Sequence, residues 1–272
     1  PASVVKELVE NSLDAHATSV SVEVQRGGLE LIRVVDNGEG IPTEEAELAF
    51  QRFATSKISV PDNLGRITTL GFRGEALPSI AAISAVALLT RPAQQEGGTL
   101  VEVADGQVAK ITPQGGPPGT SVTARGLFQK IPARLKFLRS PAAEASRVQA
   151  LLHQYALAFP QVRFRLEIDG RTAFSSAGAG DLREACSAVY GTKTARALLE
   201  VLSPDSSEED AAPIGVYGLV SPPDMSRASR GYIHLLVNRR WIQSRSLTYA
   251  LEEAYQGFLM ERRHPLAVLH LT

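Results

Sequence analysis

The chain has 272 residues, of which 44% are hydrophobic and 21% are charged, so it can form a core and is not compositionally disordered. Its single cysteine, Cys186, excludes a disulfide framework and a cysteine-based zinc site. The longest nearly unbroken apolar run, Ile80 to Leu89, is about half of the ~20 residues that a membrane span needs, and the sequence after Pro1 is unlike a signal peptide. These features predict a soluble protein of a reducing compartment without a membrane partner, and the start at Pro1 indicates a fragment.

Charge is unevenly distributed, although the net charge is only −1. Residues 1–60 contain five Lys or Arg against ten Asp or Glu, whereas residues 125–171 contain nine against three and residues 211–272 seven against four. The chain as a whole therefore favours neither an acidic nor a basic partner. The distribution leaves room for a local basic surface in its later part.

Hydrophobic periodicity predicts a mixture of helices and strands. Apolar residues at helical spacing predict a first helix over 3–15, alternation predicts a strand over 19–25, and Thr43 fits the N-cap of a helix that runs to about Phe53. The other predicted strands are 29–35 (after a Gly27-Gly28 turn), 85–90, 98–103, 107–111, 120–126, 162–168, 172–175, 214–221 and 232–237, and the other predicted helices are 75–82, 142–158, one from 181, and 246–259. The pattern favours a mixed, largely antiparallel α+β fold in two units, 1–180 and 181–272.

The first predicted helix carries polar residues on the face opposite its apolar stripe. Glu7 and Asn11 are four residues apart, so they project from one face, and Asp14 shares that face. A solvated polar face accounts for this pattern by itself. The alternative is that Glu7 polarises a water molecule while Asn11 supplies a neutral oxygen ligand to a hard cation such as magnesium.

A second polar segment, Asp36-Asn-Gly-Glu-Gly40, follows a predicted strand and precedes a predicted helix. Asp-Asn-Gly is strong turn chemistry, and a simple turn is one explanation. The alternative is that Asp36, held at a strand end, accepts a hydrogen bond from an adenine amine. Gly38 and Gly40 would then let a ligand approach the bare backbone.

A third segment, Gly71-Phe-Arg-Gly-Glu-Ala-Leu77, closes a polar stretch and opens a predicted helix. It can be only a helix cap, or its free N–H groups can bind phosphate together with the hydroxyls and ammonium of Thr55-Ser56-Lys57. The spacing matches neither a Walker loop nor a dinucleotide-binding fingerprint.

Taken together, these segments resemble the N-terminal ATPase region of the MutL family of mismatch-repair proteins, within the GHKL superfamily of gyrases, chaperones and histidine kinases. The matching stretches cover essentially the whole chain and are residues 1–15, 36–41, 54–58, 70–77, 119–120, 132–138, 237–238 and Arg240. The opening helix and residues 71–77 separate this family from other GHKL families. The resemblance implies a GHKL (Bergerat) α/β sandwich with a mixed sheet over 1–180, followed by an incomplete, ribosomal-protein-like α+β domain over 181–272.

The resemblance also implies ATP and Mg²⁺ as cofactors and assigns roles to matching residues. Glu7 would be the general base, Asn11 a magnesium ligand and Asp36 the residue that binds adenine. The adenine pocket would be completed by Gly38, Gly40, Ile41 and Thr120. The phosphates would be wrapped by Thr55, Ser56, Lys57, Gly71, Phe72, Arg73 and Gly74.

The chain departs from the family pattern at three positions. His16, Phe53 and Lys130 stand where the family usually has glycine, histidine and asparagine, and none of the three has an implied chemical role. The family's lysine that contacts the terminal phosphate belongs to a motif beyond Thr272. We therefore expect only weak ATP turnover by this chain alone.

Five arginines cluster around a predicted strand and the helix that follows it: Arg227, Arg230, Arg239, Arg240 and Arg245. An ordinary solvated arginine face accounts for them. The alternative is contact with the DNA backbone, which needs positive charge but no base recognition. The resemblance implies a basic DNA-binding surface in the second domain, with Arg245 as the best-placed match.

The resemblance implies a mismatch-repair ATPase that forms a homodimer on ATP binding. It would couple the mismatch-recognition protein MutS to a downstream repair nuclease or helicase, in the cytoplasm and associated with the nucleoid. An alternative is an ATP-responsive clamp or scaffold on DNA with negligible turnover. A type II topoisomerase subunit or a chaperone ATPase fits the opening helix and residues 71–77 less well.

Overall fold

The computed structural model describes residues 1–51, 70, 75–203 and 215–272. Within these residues the chain divides into two compact units. The first unit comprises Pro1–Leu152 and Val162–Ser175, and the second comprises His153–Gln161 and Ser176–Thr272. Each unit contains its own mixed β-sheet, which confirms the predicted α+β class.

The first unit is built around an eight-stranded sheet. Its helices are α1 (Ala2–Asp14), α2 (Thr43–Ala46), α3 (Ala76–Ala81), α4 (Pro132–Leu135) and α5 (Pro141–Ala158), the last turns of which belong to the second unit. Its strands are β1 (Ser19–Gln25), β2 (Leu31–Asp36), β3 (Ala85–Arg91), β4 (Gly98–Ala104), β5 (Gln107–Gln114), β6 (Gly119–Arg125), β7 (Arg163–Ile168) and β8 (Arg171–Ser175). The strand order is β5-β4-β3-β6-β2-β1-β7-β8, in which only β1 and β7 are parallel.

The apolar face of α1 contributes to the core of the first unit. Val5 and Val9 of α1 are fully buried, and alternate residues of β1, beginning with Val20, are fully buried as well. Each buried valine contributes about 1.5–3 kcal/mol relative to an exposed one, and a one-residue slip of β1 would turn its valines to the opposite face. Hydrophobic burial therefore fixes both the register of β1 and the rotation of α1, which in turn sets where the polar residues of α1 lie.

The second unit contains a five-stranded sheet in the order β12-β11-β13-β10-β9. Its strands are β9 (Leu199–Leu202), β10 (Val216–Val220), β11 (Ile233–Val237), β12 (Arg240–Ile242) and β13 (Ala267–Leu271), and its other helices are α6 (Leu182–Tyr190), α7 (Thr192–Ala197) and α8 (Arg245–Ala254). Strands β11 and β13 are parallel and the other neighbours are antiparallel. None of the helices described in either unit is long and apolar enough to cross a membrane.

The core of the second unit lies between its sheet and α8. Ile233, Leu235, Ala267 and Leu269 form a buried cluster, and apolar residues of α8, including Leu247, pack against it.

Side chains stabilise the first turns of two helices in the second unit. Asp181 accepts a hydrogen bond from the N–H of Arg183 at 2.8 Å and so caps α6. Ser244 caps α8 in the same manner.

Several sequence predictions differ from the structure. Thr43 is not an N-cap: it is the first residue of α2, its hydroxyl binds Thr99 instead, and α2 ends at Ala46. The Gly27-Gly28 connection is a short 3-10 turn rather than a two-residue hairpin. Short elements that the periodicity did not reveal are α4, α7, β9 and β12, together with β13. Periodicity needs several residues to show, so elements of three to six residues escape it.

Candidate functional site

A row of polar side chains crosses the sheet of the first unit near the ends of four neighbouring strands. Thr99, Thr90, Thr120 and Asp36 are directly opposite one another on β4, β3, β6 and β2. Directly opposed residues on neighbouring strands point to the same face of a sheet. The four side chains, here called the polar row, therefore lie side by side.

Asp36 is the most constrained member of the polar row. Its Oδ1 accepts hydrogen bonds from the N–H groups of Gly38 at 2.9 Å and of Thr120 at 3.2 Å. Its Oδ2 accepts one from the hydroxyl of Ser12 at 2.6 Å. A carboxylate oxygen has two acceptor positions, so Oδ2 can accept one further donor. The carboxylate is thus fixed in orientation and presents an acceptor to an approaching amine.

Ser12 connects the polar row to α1. It lies within the apolar stripe of the helix and is only 3% exposed. Its Oγ is 3.2 Å from the carbonyl oxygen of Leu8 and 2.6 Å from Asp36 Oδ2. A hydroxyl has only one proton to donate, and the carboxylate of Asp36 is both nearer and a stronger acceptor than the carbonyl oxygen of Leu8. The rotation of α1 and the orientation of Asp36 therefore support each other.

Thr90 lies at the centre of the polar row and is 1% exposed. Its Oγ1 accepts a hydrogen bond from the N–H of Ile41 at 2.7 Å and lies 3.1 Å from Thr120 Oγ1. It is also 3.3 Å from the carbonyl oxygen of Gly119. At the end of the row, Thr99 Oγ1 contacts Thr43 Oγ1 at 2.8 Å. Thr90 thus connects the Asp36 network to the backbone that follows Gly40.

Two glycines allow the backbone to pack closely at this site. Gly40 has φ +74°, and a Cβ at this position would lie 2.5 Å from the carbonyl oxygen of Arg91. Gly119 has φ +116°, and a Cβ there would overlap the carbonyl oxygen of Asp36. Both conformations disfavour an L side chain. Backbone packing alone therefore requires glycine at these two positions, whether or not a ligand approaches them.

The polar face of α1 lies where the sequence predicts it. Glu7 is exposed and Asn11 is half-buried, whereas the buried residues of the helix lie on its other side. Asp14 Oδ1 accepts a hydrogen bond from the N–H of Leu70 at 2.7 Å. Asp14 therefore fixes the residue that immediately precedes Gly71.

Seven predicted phosphate-binding residues lie outside the described residues and stay predictions: Thr55, Ser56, Lys57, Gly71, Phe72, Arg73 and Gly74. Among the described residues, no group of three His, Cys, Asp or Glu side chains could hold a metal ion.

Of the five clustered arginines that the sequence indicates, Arg230 and Arg227 contact side chains of the second unit. Arg230 donates hydrogen bonds to both carboxylate oxygens of Glu252 at 2.8 Å, and this contact holds the pKa of Glu252 below its usual value. The guanidinium of Arg227 lies 5.3 Å from the ring centre of Tyr232, a cation–π distance. Glu252 thus offsets the charge of Arg230.

The other three arginines lie after β11 in the chain. Arg239 has φ +64° and its guanidinium lies 5.8 Å from the ring centre of Phe159. Arg240 opens β12 and is half-buried, whereas Arg245 is the exposed first residue of α8. Arg239 and Arg245 therefore present exposed positive charge.

Sequence reasoning missed three residues that organise the site. Ser12 lies on the apolar side of the first helix and Thr90 ends the predicted strand over 85–90, so neither position by itself indicates a role. Asn37 accepts hydrogen bonds from the N–H groups of Thr18 and Ser19 at 3.0 and 2.8 Å, which fixes the turn after Asp36. A hydroxyl residue at an otherwise apolar, inward position was the available signal for Ser12 and Thr90.

Comparisons with known proteins define the class. Residues 1–105 match the family model described as Histidine kinase-, DNA gyrase B-, and HSP90-like ATPase. The ATPase region of Saccharomyces cerevisiae topoisomerase II shares the fold at a TM-score of 0.60, with 13% identity and coverage of 99% of this chain and 71% of that chain. The fold is therefore that of the GHKL ATPases.

Closer relatives define the family. Residues 186–272 match the model described as DNA mismatch repair protein, C-terminal domain. The MutL protein of Desulforudis audaxviator is 46% identical over 272 residues, which are 100% of this chain and 47% of that protein. The Aquifex aeolicus MutL ATPase domain complexed with ADP has a TM-score of 0.72 and 32% identity, with coverage of 100% of this chain and 90% of that chain. The chain belongs to the MutL family of DNA mismatch repair proteins, and it spans less than half of the length of the curated relatives that it matches.

Proposed function

We propose that this chain binds ATP through Asp36 and Thr120 of the polar row and hydrolyses it slowly in DNA mismatch repair. The observation that carries the proposal is the fixed carboxylate of Asp36, whose Oδ2 can accept one more hydrogen bond. An ionised carboxylate only accepts, so it suits the amine of adenine and repels the carbonyl oxygen of guanine at the same place. The ADP bound by the similar Aquifex aeolicus domain supports an adenine nucleotide as the ligand.

The adenine pocket would be completed by the backbone around Asp36. In this proposal Gly38, Gly40 and Ile41 line the pocket, and Thr120 extends its hydrogen-bond network. We assign residues 1–180 as the ATP-binding domain and residues 181–272 as a second α+β domain of ribosomal-protein type. The phosphates would be bound by Thr55, Ser56 and Lys57 and by residues 71–74.

Glu7 and Asn11 are suited to the chemical step. Glu7 is exposed on the polar face of α1, where it can take a proton from the attacking water, and Asn11 lies one turn further along the same helix. Mg²⁺ usually binds one or two protein oxygens together with phosphate oxygens and waters, so a single amide oxygen fits this ion better than a side-chain cluster. The ion would supply positive charge that offsets the phosphates.

We propose ATP-dependent homodimerisation as the output of this site. The whole protein would then transmit a signal from MutS to a downstream nuclease or helicase, in the cytoplasm and in association with the nucleoid. Membership of the MutL family and the match of residues 186–272 to a mismatch-repair domain support this assignment.

DNA contact would come from the five clustered arginines of the second unit, which are Arg227, Arg230, Arg239, Arg240 and Arg245. Arg239 and Arg245 are exposed, whereas Glu252 offsets the charge of Arg230. We therefore expect Arg239, Arg245 and the half-buried Arg240 to contribute more to DNA binding than Arg227 or Arg230. Each lost phosphate contact should reduce the slope of log affinity against log salt by about one unit, which fluorescence anisotropy with labelled duplex DNA can measure.

Calorimetric titration with ATP, with and without Mg²⁺, tests the proposal when it is combined with a steady-state phosphate-release assay. The parent chain should bind ATP, Asp36→Ala should abolish binding, and Glu7→Ala should bind ATP without hydrolysing it. Glu102→Ala, which removes an exposed carboxylate from β4, serves as the control and should behave like the parent.

The outcomes separate the candidate functions. Unchanged turnover in Glu7→Ala contradicts the assignment of the general base. ATP and DNA binding by a parent chain without measurable turnover favours an ATP-responsive clamp over an enzyme.

A further inference from the structure

Thr90 is a polar residue where an apolar one would fit. The inward positions of β3 alternate as Val86, Leu88 and Thr90, and all three are buried. Valine has nearly the shape of threonine, so the hydroxyl brings only the cost of burying a polar group unless it makes hydrogen bonds. The Thr90 hydroxyl has three polar neighbours at 2.7, 3.1 and 3.3 Å, so its role lies in those contacts.

Counting protons constrains how these contacts are used. The N–H of Ile41 can only donate, so Thr90 Oγ1 accepts from it. The single proton of Thr90 can go to Thr120 Oγ1 at 3.1 Å or to the carbonyl oxygen of Gly119 at 3.3 Å. When Thr90 donates its proton to the nearer Thr120 Oγ1, Thr120 does not donate to Thr90. The proton of the Thr120 hydroxyl is then available to a third group.

We propose that Thr90 is a positioning residue for adenine recognition, because it aligns the Thr120 hydroxyl as a donor and holds the Gly40–Ile41 backbone. This inference rests on the proposed ATP-binding function. Thr120 is directly opposite Asp36 in the polar row, so a base held by Asp36 presents its next edge atom toward Thr120, directly or through one water. Thr90 therefore influences the base without touching it.

The chemistry of the purine edge makes this arrangement selective. Adenine presents an amine donor beside the ring nitrogen N1, an acceptor, and guanine presents a carbonyl acceptor beside an N–H donor. Asp36 as acceptor and Thr120 as donor complement adenine at both positions and oppose guanine at both. Without Thr90, Thr120 can rotate and accept from guanine, so discrimination should fall while ATP binding weakens.

Thr99 provides a matched control. It is directly opposite Thr90 on β4, is 3% exposed, and its hydroxyl is hydrogen-bonded to Thr43 rather than to the Asp36 network. Thr90→Val and Thr99→Val therefore remove the same atom from neighbouring buried positions. Any general effect of losing a buried hydroxyl should appear in both variants.

The experiment is calorimetric titration of the parent chain, Thr90→Val, Thr90→Ser and Thr99→Val with ATP and with GTP, together with melting temperatures. We expect Thr90→Val to lower ATP affinity by about 10-fold and to reduce the ATP-to-GTP affinity ratio by a similar factor. Thr90→Ser retains the hydroxyl and should keep the parental ratio. Thr99→Val should keep parental affinity for both nucleotides despite a lower melting temperature. If Thr90→Val does not fold, Thr90→Ala removes the same hydroxyl with a smaller side chain, and the same changes are expected.

Two results would overturn the inference, and they are distinguishable. If the parent binds ATP and Asp36→Ala does not, but Thr90→Val matches Thr99→Val in both affinity and ratio, Thr90 has no part in recognition and the proposed function stands. If the parent binds neither nucleotide, the proposed function fails and the inference fails with it.

Discussion

The two units differ in how completely their buried polar groups are hydrogen-bonded. In the first unit, the members of the polar row and Ser12 all have hydrogen-bond partners. In the second unit, three buried polar atoms have no hydrogen-bond partner among the described residues: Tyr190 Oη, Arg227 Nε and His234 Nδ1. The Tyr190 ring lies 6.3 Å from the His234 ring, so two of these three residues are neighbours.

This contrast shows what partners do for a buried polar group. In the first unit they hold a charged carboxylate at a defined orientation, which is what a recognition site needs. In the second unit, burial makes ionisation unfavourable for two of these three residues: it lowers the pKa of His234 to about 4, with a smaller contribution from His153, and it raises the pKa of Tyr190. We therefore expect the first unit to be sensitive to loss of contacts and the second to be sensitive to pH.

The largest expected effect comes from breaking the polar row through its backbone. Gly119→Ala introduces a Cβ that overlaps the Asp36 carbonyl oxygen at a φ of +116°. Strain and overlap together should destabilise the first unit by about 4 kcal/mol, measurable by urea unfolding. Gly170→Ala also has a positive φ but meets no neighbouring atom, so it should cost only the strain. Equal losses in the two variants would contradict the close packing at Gly119.

The next largest effect is the acid sensitivity of the second unit. The pKa of His234 lies near 4 in the folded chain and near 6.5 in the unfolded chain, so the unfolded state binds more protons between these values. Stability is therefore complete above about pH 6.5 and should fall by about 3 kcal/mol as the pH drops to 4. Burial lowers the pKa values of His153 and His270 too, which adds to the loss.

Hydrogen exchange read by mass spectrometry can locate this effect. Protection should fall in β11 and β13 as the pH drops from 6.5 to 4, after correction for the intrinsic exchange rate. His234→Leu should flatten the dependence, and an unchanged dependence in this variant would refute the role of His234.

A smaller effect should follow from removing a hydroxyl that has a partner. Ser12→Ala deletes the 2.6 Å hydrogen bond to Asp36 Oδ2 within the apolar stripe of α1. We expect a loss of about 1–2 kcal/mol in thermal or urea unfolding, because the bond is buried and its acceptor is charged. A neutral result would mean that Asp36 does not depend on α1 for its orientation.

The smallest effect should follow from removing a hydroxyl that has no partner. Tyr190→Phe deletes a buried oxygen without a hydrogen-bond partner among the described residues. Stability should stay within about 0.5 kcal/mol of the parent or rise slightly. A loss as large as that of Ser12→Ala would indicate a buried water bound to Tyr190, and it would weaken the contrast between the two units.

The sequence predicted the fold well where periodicity is long. The strand over Ser19–Gln25 has the predicted bounds, and the first helix differs by one residue at each end, because burial of alternate or helically spaced residues decides both. Thr43 was predicted wrongly as an N-cap because its hydroxyl contacts Thr99 on β4 rather than a backbone N–H of its own helix. Contacts between residues far apart in the chain leave no local pattern.

The candidate site was predictable only where its residues belong to a local pattern. Asp36 was singled out because it is an acidic residue at the end of a predicted strand, and Gly40 because it lies in the turn that follows. The contributions of Ser12 and Thr90 depend on strand pairing, which sets residues 36, 90 and 120 side by side. Neither the 3.1 Å contact between Thr90 and Thr120 nor the proposal that we base on it can be derived without that register.

The most direct test of the central claim is calorimetric titration of the parent chain and Asp36→Asn with ATP and GTP. The substitution keeps the shape of the side chain, and its amide oxygen can still accept from Gly38 and Thr120, but an NH₂ donor replaces the Oδ2 acceptor. We predict that the parent binds ATP and that Asp36→Asn loses at least about 100-fold in ATP affinity without a comparable loss for GTP. Parental ATP affinity in Asp36→Asn would contradict adenine recognition by Asp36.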